Sequence, residues 1–497
     1  LHFHAQGRDF VAIAPEKTGL DLLDRLAFGY LALPVVVFLV GWCQTWVAVA
    51  ALLALALAAR SLWGPLPVRT LPQATPGAWI LLIGMAAAWS ALGGAGHLFH
   101  ANTDWPVRDA VLRDLVAGAW PVAYTGPQGD EYLLRAPLAY YLPAALAGKV
   151  LGAGLADAAL LGWTCAGVTL VFALAAASQR RAGPLLVLLA VFVLFSGMDI
   201  VGVILTRGLA AIGIIASTDH IEWWAARFQY SAHSTQLFWV PNHAIPGWIA
   251  VAMLTRNADR LPFLRVLPLL LALLPLWSPL TAIGFVPLAA AALFPLVSRG
   301  RLTDGIDPAV LVACCLLVLP VAVYLTMAAE AIPGGGTHMG GEPLWLYLAN
   351  CAQFVLLEGG LLWILLLLIR SDPLLLAAGL VLWLLPLVAF GPGNDLAMRA
   401  SIPALALLAL RAGRSLASGE LPPRLRLALL SILALGVPTA MLEINRSLLL
   451  QPWPPALGTS LLEVAGGVPP ANYMAPVSGA IASTLLRPLR PLSGAEQ

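Results

Sequence analysis

The sequence predicts an all-α, polytopic integral membrane protein, and its composition, its apolar runs and its one polar island carry that prediction. Hydrophobic residues make up 60% of the 497 residues and charged residues only 10%. Mean hydropathy is +0.86, and apolar runs of about 17 to 25 residues, enough to cross a bilayer, recur along the chain. Residues 97 to 136, by contrast, gather Asp104, Arg108, Asp109, Arg113, Asp114, Asp130, Glu131 and Arg135. No water-soluble fold could hide so much apolar surface. The net charge of +2 sits in short loops rather than on a basic face, which excludes nucleic acid as a partner.

About thirteen spans are expected, at 26 to 43, 45 to 62, 78 to 96, 156 to 177, 184 to 206, 237 to 254, 264 to 278, 279 to 297, 308 to 328, 345 to 369, 373 to 391, 396 to 412 and 425 to 443. The runs 26 to 62 and 264 to 297 are too long for one helix. They turn at Trp42-Cys43-Gln44 and at Trp277-Ser278-Pro279, forming tight hairpins. Residues 137 to 152 are apolar but short and contain Pro143 and Lys149, so a half-buried or re-entrant helix is expected there. A full crossing would carry Arg180 and Arg181 to the wrong side.

Those two arginines, with Arg60, Arg69, Arg256, Arg260, Arg265, Arg299, Arg301, Arg411, Arg414, Arg424 and Arg426, mark one side as cytoplasmic. The bacterial inner membrane is the expected location. The outer face then receives the polar island, residues 207 to 236, residues 329 to 344, the GPGND turn at 391 to 395 and the tail 445 to 497. Residues 1 to 497 read as a single transmembrane domain with an outer loop at 97 to 152 that carries surface helices. The tail, rich in Pro and Gly, is expected as an ordered coil or a partly disordered end on the outer surface. The chain opens on Leu1 without Met and without a cleavable-signal pattern, so its true start is expected upstream.

Cys43, Cys165, Cys314, Cys315 and Cys351 show no CxxC spacing and read as small packing residues. His97, His100, His220, His233, His243 and His338 map to outer loops or helix mouths. His97 and His100 lack close ligands apart from Asp104, so no metal site is expected. Gly334-Gly335-Gly336 with His338 reads as a flexible loop, able either to close over a substrate or merely to connect two spans. Between Pro106 and Ala117, Val107, Ala110, Val111 and Leu115 fall on one face and Arg108, Asp109, Arg113 and Asp114 on the rest. That pattern predicts an amphipathic helix in the plane of the membrane surface. Asp104 stands just before it, either as an N-cap or as a carboxylate able to take a proton from a substrate hydroxyl.

An early span, an acidic outer loop, a surface helix ending in GAWP and then LRAPLAYYLPAALAGKVLG together resemble the first outer loop of GT-C superfamily glycosyltransferases, which include protein O-mannosyltransferases and aminoarabinose transferases. In that family the loop reads as an acidic pair, a helix, a G-D-W turn and then K/R-P-P-L-x-Y-W/Y. The match covers about 50 residues. Asp104 takes the position of the family's catalytic acid, and Arg135, Pro137, Tyr140 and Tyr141 fall on the later part. Trp105 replaces the second acidic residue and Ala136 the first proline. Asp219 and Glu222 are the nearest substitutes for the second acidic motif, and Asp109 competes with Asp104 as base.

The resemblance implies inverting transfer of a sugar from a polyprenyl-phosphate donor to an acceptor hydroxyl of a glycan, lipid or protein on the outer face. The lipid-linked sugar would be a co-substrate, with no cofactor or divalent metal. A leaving phosphate needs fixed cations or amide donors, for which Arg399, Lys149, Arg135 and His243 are candidates. Arg399 lies about one turn inside a span, beyond Asn394 and Asp395, and either pairs with Asp395 at i,i+4 or holds phosphate. His243 enters a span between Pro241 and Pro246 and serves either substrate contact or hydrogen bonding at the helix mouth. A transporter or flippase of a lipid-linked saccharide is the alternative, for which paired charges deep in the spans are expected, with Asp199 as the main candidate.

Overall fold

The computed structural model describes residues 20–62, 75–177, 181–332, 341–391, 393–455, 458–476 and 480–492. Arg69, Arg180 and the Gly334-Gly335-Gly336 run with His338 lie outside them. The chain is a mostly helical bundle in which, among the described residues, seven helices are long and apolar enough to cross a membrane: Leu22–Trp42, Ala153–Ala176, Pro279–Val297, Pro308–Thr326, Leu344–Ile369, Asp395–Ser418 and Pro423–Leu449. Shorter apolar helices of 10 to 17 residues accompany them, among them Leu142–Leu151 in the segment expected to be re-entrant.

Helix starts follow a repeated device. Asp21, Thr75, Ser278, Asp307 and Asp372 each accept a first-turn backbone amide, and in the last four a proline follows at once. The side chain satisfies an orphan donor, and the proline presets φ where no N–H is needed.

Four of the expected spans depart from one regular helix. The run 184 to 206 divides into Ala182–Val193 and Asp199–Arg207, because the intervening backbone turns to bond elsewhere: Phe195 O accepts from His233 N and Met198 N donates to Leu357 O. The run 237 to 254 breaks before Pro241 into His233–Trp239 and Pro241–Asn257. The run 345 to 369 carries a π-helical turn at Leu356–Gly360. The run 396 to 412 lies within the single helix Asp395–Ser418, which turns once at Ser401 before Pro403.

Helices Pro241–Asn257 and Ile402–Ser418 form the centre and are buried along most of their length. Trp248 stacks on Trp89 with ring centroids 5.4 Å apart. His233, the first residue of helix His233–Trp239, is buried in this core, its ring centroid 4.3 Å from that of Phe192 and its Nδ1 2.8 Å from Phe192 O.

A small sheet accompanies the helices. Strands β1 (Val122–Thr125) and β2 (Glu131–Leu134) form a hairpin in the first loop. The tail supplies β3 (Met474–Pro476), antiparallel to β2, and β4 (Arg490–Pro491), parallel to β1. The sheet order is β3-β2-β1-β4. The tail is therefore a structural partner of the first loop, not a coil lying on a surface. Helix Trp105–Ala117 is also no surface helix: Arg108, Asp109 and Asp114 are buried along with Val111, Leu112 and Leu115. Tail residues close over its polar side, where Asp114 Oδ2 accepts from Leu461 N at 2.9 Å.

Polar groups collect at the two ends of the bundle. At one end Arg256 pairs with Asp21 and Asp24, and Arg411 with Asp372. Arg256 closes the helix whose first residues are Pro241, Asn242 and His243, so the other end lies about 25 Å away at 1.5 Å per residue.

Candidate functional site

At that far end the turn before helix Trp105–Ala117 is pinned to the end of helix His233–Trp239. Asn102 Nδ2 donates to Phe238 O at 2.7 Å, Trp105 Nε1 donates to the same oxygen at 3.2 Å, and Asp104 N donates to Asn102 Oδ1 at 3.0 Å. Asp104 is therefore held in place by its neighbours. The N-cap expectation is not met, because its side chain makes no capping bond. Its carboxylate instead lies 3.5 Å from Arg108 Nη2 and is 48% exposed. Arg108 is buried and donates to Tyr141 Oη and Asn242 Oδ1, both at 3.2 Å, and to Trp239 O. Burial opposes its charge, but Tyr141, Asp104 and Tyr473 outweigh that and hold the guanidinium above its ordinary range.

A cavity of about 460 Å³ opens beside Asp104 and brings together distant parts of the chain. Asp104 contributes from the first loop, His220, Trp223, Arg227 and Trp239 from the middle, and Asn394 and Arg399 from the last third. Arg399 pairs with Asp395 one turn earlier, and Arg227 pairs with Glu342. Asn394 takes the left-handed conformation, φ 55° and ψ 50°, which Asn tolerates well. Its Oδ1 is buried without a hydrogen-bond partner. Gly391, at φ 85°, makes this turn possible, since a Cβ there would lie 2.3 Å from Asp395 Oδ2. Gly284 lets helix Asp395–Ala400 rest directly on helix Pro279–Val297, because its missing Cβ would lie 1.9 Å from Ala400 O.

Behind the cavity wall lies a network of acids around one imidazole. His220 Nδ1 is 2.8 Å from Glu443 Oε1, and its Nε2 is 3.8 Å from Glu222 Oε2. Burial works against the imidazolium, yet Glu443 and Glu222 win and raise the His220 pKa. Burial pushes the Glu222 carboxyl up to about 7, against the pull of His220. Glu222 also accepts from Ala232 N and Thr235 Oγ1. Glu443 accepts from Trp239 Nε1 at 2.8 Å, which fixes that ring against the cavity. Tyr473, brought in by the tail, lies close enough to feel Arg108, Arg399, Asp104 and Asp395; burial pushes its phenol up.

The remaining predicted residues divide. Tyr141 touches Arg108, and His243 lies behind the cavity, with Nδ1 2.6 Å from Ser278 Oγ and Nε2 3.2 Å from Asn242 Nδ2. Asp109 does not reach the cavity, since it points away on the same helix and lies 3.1 Å from His97 Nε2. Arg135 is likewise committed elsewhere, donating to Ala471 O and Leu325 O and so fastening the tail. Lys149 donates to Val116 O and Gly118 O at the end of helix Trp105–Ala117 and covers the Trp120 ring at 5.4 Å. With Arg113 it lines a larger groove of about 640 Å³ that lies apart from Asp104 and Arg399. Tyr140 is buried, with its hydroxyl 2.7 Å from Thr164 Oγ1.

Arg227, His220, Trp223 and Trp239 line the cavity and Tyr473 stands near its charges, none of them a predicted site residue. The STDHIEWWA stretch was the available signal: His220 and Trp223 line the cavity with Glu222 behind His220, whereas Asp219 accepts from Ala216 N in an exposed turn. Among the described residues no group of three or more His, Cys, Asp and Glu side chains could hold a metal ion. His97 and His100 bind the backbone oxygens of Trp453 and Gln451 instead. No protein-family model, curated protein or solved structure matches the chain.

Proposed function

We propose that this protein is a membrane glycosyltransferase of GT-C type that moves a sugar from a polyprenyl-phosphate donor to an acceptor hydroxyl. The observation that carries this reading is the shared cavity of Asp104 and Arg399, a half-exposed carboxylate and a cation from opposite thirds of the chain. In the proposed reaction the Asp104 carboxylate takes the acceptor's hydroxyl proton as its oxygen attacks the anomeric carbon. The bond from that carbon to the phosphate oxygen breaks with inversion, and its electron pair leaves with the phosphate. Arg399 and Arg227 stabilise the added charge. Asn394 Oδ1, buried without a partner, would accept a sugar hydroxyl, and Trp223 and Trp239 offer ring faces.

The lipid part of the donor also has a place. An apolar cleft of about 240 Å³ lies between helices Pro279–Val297 and Pro373–Leu384 and ends at Leu396 and Ala400, on either side of Arg399 in sequence. A prenyl chain there would put its phosphate beside Arg399. Partners in this reading are membrane lipid, the polyprenyl-phosphate sugar and a glycan, lipid or protein acceptor. The arginine-rich end faces the cytoplasm, and the cavity faces the periplasm of a bacterial inner membrane.

A transporter of lipid-linked saccharide is the second reading, favoured by the buried carboxyl groups of Asp199 and Glu358 within the helical region. Purified protein in liposomes, given polyprenyl-phosphate monosaccharides and membrane extract as acceptor, decides between them. Release of polyprenyl phosphate that falls at least tenfold in Arg399→Ala supports transfer. Flux of intact donor without release supports transport and overturns transfer.

A further inference from the structure

Away from the cavity, buried charge concentrates where the chain break at residues 194–198 meets the π-helical turn Leu356–Gly360. Asp199 and Glu358 are each 1% exposed and stand within hydrogen-bond reach of one another. Asp199 Oδ2 accepts from Ser196 Oγ at 2.9 Å and from Thr439 Oγ1 at 2.7 Å. Glu358 Oε1 accepts from Trp224 Nε1 at 2.7 Å. The other two oxygens, Asp199 Oδ1 and Glu358 Oε2, are buried with no donor at all.

Two neighbouring buried carboxylates, each with an oxygen that lacks a donor, repel one another in an apolar interior unless a positive charge neutralises one of them. The surrounding backbone is closed tightly on the pair: a Cβ on Gly197 would lie 1.9 Å from Glu358 Oε2, and one on Gly436 would lie 2.6 Å from Ser196 O. A calcium-like ion takes about six to eight oxygens, whereas only two oxygens of this pair lack a partner. A proton needs no more than two. π turns of this kind occur often at functional sites because they re-aim a side chain out of the helical register.

We propose that Asp199 and Glu358 share one proton, forming a protonatable site within the membrane region and separate from the sugar cavity. Among the described residues the titratable groups that face the pair include Glu222, on the same short turn as Trp224, and His220, whose charge reaches Asp199. His220 also lines the cavity and stands next to Glu443 of helix Pro423–Leu449. The charge on the pair is therefore felt at the cavity through Glu222 and His220. Ionisable side chains inside membrane proteins often belong to proton pathways, which suits a pair that shares one proton.

The test uses full-length protein in detergent at pH 7 and infrared difference spectra of wild type against Glu358→Gln and against Asp199→Asn. In either variant the new amide donates to the remaining carboxylate in place of the proton. Loss of one protonated-carboxyl band in both variants, with the melting midpoint kept within a few degrees, is the expected result. An unchanged band in both overturns the proposal. Wild-type melting in sodium chloride against choline chloride at equal ionic strength is the second measurement and needs no variant. Equal midpoints are expected, and a sodium-specific rise would assign the pair to a metal cation and overturn the shared proton.

Discussion

Replacing Asp104 with Asn separates chemistry from architecture. The Asp104 carboxylate is 48% exposed and 3.5 Å from Arg108, so the pair is worth only about 0–1 kcal/mol. Arg108 loses its carboxylate partner in the variant but keeps Tyr141, Asn242 and Trp239 O as hydrogen-bond acceptors. The melting midpoint should therefore move by no more than about 2 °C. Losing a general base costs about 10²- to 10⁴-fold in rate, or roughly 2.7 to 5.4 kcal/mol at 1.36 kcal/mol per decade. The chemical effect exceeds the stability effect several times over. The assay is release of polyprenyl phosphate by proteoliposomes, with donor binding measured separately. Turnover within about threefold of wild type would remove Asp104 from the mechanism. Loss of donor binding along with turnover would make it a binding residue instead.

Three further perturbations test the scaffold around the cavity. Burial raises the Glu222 carboxyl from 4.5 to about 7, so the folded chain holds a proton that the unfolded chain releases. The stability this contributes is complete below pH 4.5 and is lost as pH rises through 7; Glu222→Gln should flatten that slope, worth ~3 kcal/mol, in denaturation midpoints taken across the window. Asp114→Ala strips the acceptor from Arg113 Nη1, Tyr124 Oη and Leu461 N, costing about 2–4 kcal/mol and exposing the tail to limited proteolysis. An unchanged cleavage pattern would count against the tail's attachment there. Gly284→Ala drives a methyl into Ala400 O and should shift Arg399, weakening donor binding and stability by about 1–3 kcal/mol. Gly162→Ala, with open space around its Cβ, is the neutral control.

Membrane character was legible because apolar run length answers directly to bilayer thickness. Helix starts were partly legible too, as at Ser278-Pro279, where side-chain capping and proline act through neighbouring residues alone. The breaks at 194–198 and 356–360 were not, because they are fixed by packing between distant segments: Gly197 against Glu358, and Met198 N on Leu357 O. The sheet escaped notice for the same reason. Four-residue strands around a GPQGD turn give too little alternation, and two of the four strands come from the far end of the chain. Asp104 and Arg399 stood out as charges close to apolar runs. Arg227, Trp239 and Tyr473 did not, since nothing local distinguishes a loop arginine or an interfacial ring from a site residue. Arg135 and Lys149 looked equally exceptional and proved to hold backbone carbonyls, a role that charge placement alone does not distinguish from phosphate binding.

The strand order also dictates a sequence of assembly. β1 and β2 emerge early, but the strands that flank them follow about 340 residues later, after the last long helix. A chain inserting from its N-terminus must leave the hairpin's edges unpaired until residues 474–491 have crossed to the same side. Tyr473 arrives with that final segment, so the charges of Arg108 and Arg399 meet this neighbouring phenol only after the last long helix has been made.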